Sequence, residues 1–408
     1  MATDAFTGLK DIQSFNEEFN KIENKNQIRL VRIDIIHLKS VNRQYGFDIG
    51  DLFLKTTAER ISTITESVYR TGPVSFMMLL NKTDDIDGIY QCVTEPIATD
   101  LTGRTPKIRM FDMEVDDSDT FDNLMDTFKY ITGLPKLLQK RRVSIDSDLK
   151  RSAEQEVYLL DEILFATANE TYEVYYQPVI DTVSGKCVTA EALTRLNDRN
   201  GKPIYPDMLF SFAERKHLNQ AITEIILKKV SRFLAKHYDL NISSVSVNMT
   251  PDEILNQHML EMITDTLNKY GVPLNKIRLE MTERTIMHDP SATKEIMRLA
   301  SENGTGFYLD DFGTGYSNLS SVINMDFEAI KLDKSLIYTL GDEKHDEMIA
   351  LLIKMIHLGD AKVIAEGIET EAQMKFAREN KIDRIQGYYY SRPLPEDEFV
   401  AFVEKINK

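Results

Sequence analysis

At 408 residues, 42% of them apolar, the chain is too long for one ordinary domain and rich enough for two cores, one small and one barrel-sized. Its net charge of −16 argues against a nucleic-acid polymer as partner, since phosphate neutralisation needs clustered Lys and Arg, but leaves room for a small phosphorylated ligand where bound cations reverse the local field. No apolar run suits a membrane span or a signal peptide, the two cysteines (Cys92 and Cys187) point to a reducing, cytoplasmic setting, and the seven histidines form no zinc pattern.

The first 150 residues alternate strands and helices: a strand over 28–36, helices over 38–45 and 51–63, a strand over 74–80, a strand over 107–115 and a helix over 121–130. That alternation predicts a compact α/β sandwich. The charged stretch 140–156, whose large apolar residues are Val143, Ile145 and Leu149, reads as a linker or exposed connecting helix, with a domain boundary near 150. Beyond it come eight strand candidates, over 174–180, 187–193, 244–249, 276–282, 306–311, 329–333, 362–368 and 384–390. Amphipathic runs such as 219–237 separate most of them. Eight strands over roughly 250 residues match a (β/α)8 barrel. A doubly wound open sheet is the competing arrangement, without a GxGxxG to favour it.

Acidic and amide residues sit at or near the exits of these strands: Glu191, Asn248, Glu280 and Glu283, the pair Asp310-Asp311, Glu366 and Glu369, and Gln386, with Lys331 as the lone cation of the series. A barrel gathers such positions onto one face. An all-oxygen set without sulfur or imidazole selects Mg²⁺ or Mn²⁺. Adjacent carboxylates repel each other, and a cation is the usual remedy. In a regular strand Asp310 and Asp311 would face opposite sides, so Gly313 and Gly315 are expected to bend the chain and bring both to one pocket. Two ions sharing a bridging carboxylate suit in-line displacement at phosphorus, with Lys331 orienting the attacking water or countering charge on the phosphoryl oxygens. Arg195 would contact a phosphate or guanine edge, or form a surface ion pair.

These residues carry a resemblance. From about 155 to 408 the chain resembles the EAL-domain family of cyclic di-GMP phosphodiesterases, through Glu191-Ala192-Leu193, YYQP, SVNM, LEMTE, DDFGTGYSNL, IKLD, AEGIE and QGY in order. The resemblance implies a modified TIM barrel with one antiparallel strand over 151–408, and hydrolysis of cyclic di-GMP to linear pGpG. It implies that Glu191, Asn248, Glu280 and Asp310 ligate one metal and that Asp310, Asp311 and Glu366 serve a second, with Lys331 near the attacking water. Glu283 and Glu369 match the family's supporting carboxylates, Glu283 steadying the DFGTGYSNL loop. Gln177, Arg195 and Gln386 match substrate positions, and a homodimer through this domain is expected. Leu196 departs from the pattern, standing where an aromatic residue is common. A cyclic di-GMP receptor that does not cleave its ligand is the alternative.

The region 1–150 resembles a degenerate GGDEF domain, the fold of diguanylate cyclases, through DAFTGL at 4–9 and IDIIHLKSVNRQYGFDIGD at 33–51. Asp34 and Asn42 survive as counterparts of a metal ligand and a guanine contact. The naming motif reads Gly72-Pro73-Val74-Ser75-Phe76, so both acidic positions are lost and cyclase activity is not expected.

Overall fold

The computed structural model describes residues 2–97, 105–256, 258–314 and 324–408. Internal contacts divide the chain into two units, Met1–Asp161 and Glu162–Lys408. The division falls within one helix, Ser147–Asn169. Among the described residues no helix is long and apolar enough to cross a membrane.

The first unit is built on a six-stranded sheet. Its strands are β1 (Lys10–Asp11), β2 (Ile28–Ile35), β3 (Val68–Arg70), β4 (Ser75–Asn81), β5 (Ile108–Glu114) and β6 (Arg142–Ile145), in the spatial order β1-β3-β4-β2-β5-β6. The central strand β4 runs as an apolar stretch because both faces of the sheet are covered. On one face Val31, Ile33, Met78 and Leu80 meet Leu54, Ile61, Ile89 and Val93 from two helices. On the other, Leu30, Met77 and Phe111 meet Phe15, Phe19, Leu124 and Phe128. The sandwich expected from the sequence is present.

The stretch 140–156, expected to be a linker or an exposed connecting helix, is a strand at Arg142–Ile145 and then the start of a helix. β6 pairs parallel with β5, Phe111 opposite Val143 and Met113 opposite Ile145, and both β6 residues are buried. The two-residue spacing of Val143 and Ile145 was the signal; the surrounding charges obscured it. A 23-residue helix, Ser147–Asn169, follows, with position 150 near its start.

The second unit is a closed barrel. Its strands are β7 (Glu173–Asp181), β8 (Cys187–Asn197), β10 (Ser244–Asn248), β11 (Ile277–Thr282), β12 (Gly306–Phe312), β13 (Ala329–Leu332), β14 (Lys362–Ala365) and β15 (Arg384–Ile385), and a short β9 (Pro203–Ile204) folds back on β8. Pairing of β10 with β8 closes the ring. β7 runs antiparallel to both its neighbours, β8 and β15, and the other barrel pairings are parallel. The eight expected strands are all found, and the open-sheet alternative falls with the closure. Helix Asn219–Lys236 shows how the outside is covered: Ile222, Ile226, Val230 and Phe233 lie on one stripe, are buried, and Phe233 stacks on Tyr176 of β7 with ring centroids 4.2 Å apart.

Candidate metal centre and adjoining cleft

Paired strands in register, parallel except at β7, deliver the polar residues together. Asn248 pairs with Glu280 across β10 and β11, Asp310 lies opposite Thr282, and Gln177 lies opposite Glu191 across β7 and β8. Glu191 is not at a strand exit as the sequence suggested but in the middle of the long strand β8, whose later residues continue into the pairing with β9. β14 and β15 stop earlier than expected, at Ala365 and Ile385, so Glu366 and Gln386 stand on the loops just beyond. Gly387 explains the second stop. A side chain there would collide with the backbone of Ile368, whose N–H donates to the carbonyl of Gln386 at 3.2 Å and whose carbonyl accepts from Tyr389. That close crossing locks Gln386 over the barrel mouth.

The two adjacent aspartates reach one pocket through a bend in β12 itself. Leu309 pairs with Ile330 but Phe312 pairs with Leu332, so β12 carries one residue more than β13 over this stretch, a bulge. Asp311 takes a left-handed conformation with φ 54°, one of few residue types that tolerate it. The expectation that Gly313 and Gly315 supply the bend is therefore corrected for position: the turn is at Asp311. Gly315 lies outside the described residues.

Lys331 is the hub. Its ammonium is 3.1 Å from Glu191, 2.8 Å from Glu280, 3.0 Å from Asp310 and 2.8 Å from Glu366, and the residue is 1% exposed. Around it two groups of carboxylate oxygens converge to within 4.8 Å: Glu191, Glu280 and Asp310, and Asp310, Asp311 and Glu366. Asp310 belongs to both. Four carboxylates share one ammonium and Asp311 stands beside Asp310, so the cluster holds more acid groups in a confined space than its one cation can match.

The titration of these groups records the same imbalance. Burial alone would neutralise Lys331, but the carboxylates, Asp310 foremost, hold its pKa well above the usual lysine range. Burial also pushes Glu191 up, yet Lys331 and hydrogen bonds from Gln386 and Asn248 outweigh it, so Glu191 stays a carboxylate. Burial and then the Glu191 charge drive Glu280 well up. Glu366 is pushed to about 8, by burial first, with Lys331 opposing and Asp310 adding to the rise. Asp311 is exposed at the rim, but its carboxyl turns in beside Asp310, and desolvation with the charges of Asp310 and Asp333 raises it to about 6.

The donors fit hard divalent cations. Oε1 of Glu280 is buried with no hydrogen-bond partner, an oxygen that a bound cation would satisfy. Asn248 spends its amide nitrogen on Glu191 Oε1 at 2.9 Å, which leaves the amide oxygen as its free acceptor. Glu191, Asn248, Glu280 and Asp310 would hold one ion, and Asp310, Asp311 and Glu366 the other.

The EAL domain family model matches residues 160–393, more than half of the chain. The chain belongs to the EAL domain family. Residues 1–104 match the model "Diguanylate cyclase, GGDEF domain". Among curated proteins the chain is 29% identical over 416 residues to the Cyclic di-GMP phosphodiesterase NbdA of Pseudomonas aeruginosa, covering 96% of this chain and 52% of that protein. It is 32% identical over 244 residues to the Probable cyclic di-GMP phosphodiesterase PdeB of Escherichia coli, covering 59% of this chain and 46% of that protein. The chain thus spans about half the length of these relatives. A solved structure, "PaMucR Phosphodiesterase, c-di-GMP complex", superposes with a TM-score of 0.56 at 26% identity, covering 59% of this chain and 99% of that one.

Beside the EAL centre lies a cavity of about 690 Å³, lined in part by Gln177, Arg195, Asn248, Glu253 and Tyr388. The Arg195 guanidinium lies over the Tyr175 ring, 5.5 Å from its centroid, and donates to the Thr194 carbonyl. Gln386 donates to Glu191 at 2.7 Å and to Gln177 at 3.0 Å, so these two glutamines form a chain that orients Glu191, and Gln177 also lines the cavity. Leu196, the departure from the family pattern, is buried and pairs with Ile204 of β9, while its neighbour Arg195 faces the cavity. Glu369 stays out of the cluster: it is exposed and accepts from the Tyr338 hydroxyl at 3.1 Å. Glu283 is buried at the first turn of helix Glu283–His288, and residues 315–319 of the loop it was expected to steady lie outside the described residues. Sequence reading missed Glu253 and Tyr388 as cavity residues. Tyr388 stood inside the QGYYY run, and Arg392 now lies 4.3 Å from its ring centroid.

In the first unit, Asp34 has lost its freedom. Arg32 Nε donates to both of its oxygens, at 3.0 and 3.1 Å, and the same guanidinium reaches Ser75 Oγ at 3.4 Å. Ser75 is one of the two residues expected in place of the motif's acidic pair, and the arginine bridges it to Asp34.

Proposed function

We propose that the EAL barrel hydrolyses cyclic di-GMP to linear pGpG with two Mg²⁺ or Mn²⁺ ions. The observation that carries this reading is the set of four carboxylates on Lys331, with Asp311 beside Asp310, next to a cavity of about 690 Å³ that Asn248 and Gln177 line. The named relatives and the cyclic di-GMP complex supply the substrate class.

Bound ions would activate a water and neutralise charge building on the phosphodiester oxygens. Water adds to one phosphorus, the bond from phosphorus to the ribose 3′ oxygen breaks, and the 3′ oxygen takes up a proton, leaving a 5′ phosphate and a 3′ hydroxyl. Lys331 stays charged in its carboxylate ring and offsets negative charge at the reacting phosphate. Gln386 and Asn248 fix the orientation of Glu191. Arg195, Gln177 and Gln386 hold the nucleotide in the cavity, while Glu283 and Glu369 support the mouth, Glu369 through Tyr338.

The domain over 1–150 is regulatory and has no cyclase activity, because Val74 and Ser75 replace the acidic pair and Arg32 neutralises Asp34. The barrel over 151–408 forms a homodimer, a reading supported by Met348, Leu351 and Leu358, which are apolar and exposed on helix Glu343–Leu358; sedimentation of the purified chain tests it. The activity is tested by incubating the chain with cyclic di-GMP and Mg²⁺ or Mn²⁺, with and without a chelator, and resolving products by chromatography. Metal-dependent pGpG is expected. Binding without product would make the barrel a receptor.

A further inference from the structure

The first unit carries a second polar cavity, remote in sequence from the barrel residues. On β5, Phe111 and Met113 face one core, so Asp112 and Glu114 point to the opposite face of the sheet. Asp112 is 2% exposed. Its Oδ2 accepts from Ser144 Oγ at 2.9 Å and stands 3.8 Å from Arg29, whereas its Oδ1 is buried with no partner. Asp112, Ser144 and Arg29 together line a cavity of about 550 Å³, with Asp112 recessed in its wall.

The remaining walls are acidic. Glu114, Asp116, Asp119, Asp146 and Glu154 join Asp112 there, against Arg29, Lys150 and Arg151. The cations are already engaged. Arg29 and Lys82 pair with Glu114, Lys150 pairs with Asp116 and Asp119 at 2.7 and 2.6 Å, and Arg151 pairs with Asp148. Asp112, Asp146 and Glu154 are left, among the described residues, without a cation closer than the 3.8 Å of Arg29 from Asp112.

We propose that this cavity binds a small organic cation carrying two or more amine groups, anchored on Asp112. Two features select an amine over a metal ion. Three carboxylate oxygens within 4.8 Å of one another occur, among the described residues, at the barrel mouth and not here, so the acceptors are spread out and suit an extended chain of N–H donors. The site also already holds an ammonium: Lys150, 7% exposed, is satisfied by two aspartates in the manner a ligand amine would be. The walls join strand residues to the start of helix Ser147–Asn169, so an occupant would tie the helix's first turns to the sheet.

The test is calorimetric titration of the full chain with spermidine at fixed ionic strength, repeated on Asp112→Asn and Asp311→Asn. One saturable site is expected, weakened about tenfold or more in Asp112→Asn, as loss of a charged acceptor requires, and unchanged in Asp311→Asn. No saturable binding, equal affinity in Asp112→Asn, or loss in Asp311→Asn would each overturn the proposal, the last by moving the amine to the barrel. Should circular dichroism show Asp112→Asn unfolded, Glu154→Gln on the exposed side decides: weaker binding is expected, and unchanged affinity refutes the site.

Discussion

Both halves of this chain place carboxylates on strands, and Asp34 in the first and the cluster in the second handle the charge in opposite ways. In the first unit Asp34 takes both of its short contacts from Arg32, two residues away on the same strand. In the barrel, Glu191, Glu280, Asp310, Asp311 and Glu366 come from four different strands or their ends, and Lys331 is divided among four of them. A carboxylate matched by its own arginine is a finished structural pair. Five gathered around one buried ammonium are a deficit that packing does not reward, and such a deficit is the mark of a site built for something else.

The largest expected effect follows from removing the hub. Lys331→Met leaves buried carboxylates without their cation and should cost about 3–5 kcal/mol in urea unfolding, with part of the loss recovered at saturating Mg²⁺. A stability within about 1 kcal/mol of wild type would mean that the Lys331 ammonium balances no charge in the fold. Asp311→Asn removes a rim ligand and no core packing, so hydrolysis should fall at least ~10²-fold with little change in melting temperature. A near wild-type rate at saturating Mg²⁺ would refute the second metal group.

The third prediction concerns pH. Glu366 at about 8 and Asp311 at about 6 hold protons in the metal-free fold that the unfolded chain, with ordinary carboxyls, has already released. Their contribution to metal-free stability therefore declines as pH rises from the ordinary carboxyl range toward 8. Cations must displace those protons, so apparent Mg²⁺ affinity should climb from pH 6 to 8 with proton release, read by calorimetry in buffers of different ionisation enthalpy. A flat affinity over that range would contradict the raised values. The smallest effect sharpens the contrast from the other side: Arg32→Ala leaves the buried Asp34 carboxylate without its partner, should cost about 1–3 kcal/mol and should leave hydrolysis unchanged.

Much of this was legible in the sequence because the barrel repeats one arrangement: an apolar strand, a polar residue near its end, a helix. The eight strands and the convergence of Glu191, Glu280, Asp310 and Glu366 follow from that repetition. What escaped was set by tertiary contacts. Asp311 bends β12 by its own left-handed backbone, which an adjacent DD does not announce. Gln386 is fixed because Gly387 crosses the Ile368 backbone, a contact between segments far apart in three dimensions until the barrel closes. β6 was hidden because Val143 and Ile145 are embedded among charges, and their burial depends on β5 lying alongside. The pairing of Arg32 with Asp34 was open to inspection, since residues two apart on a strand share a face.

Equilibrium dialysis of the full chain against Mn²⁺, with bound metal counted per chain for wild type and Asp311→Asn, tests the charge deficit most directly. Two ions in the wild type and fewer in the variant are the expected result, with the first unit contributing none. No bound Mn²⁺, or the same count in Asp311→Asn, would show that Lys331 alone suffices for these carboxylates and that the convergence is structural.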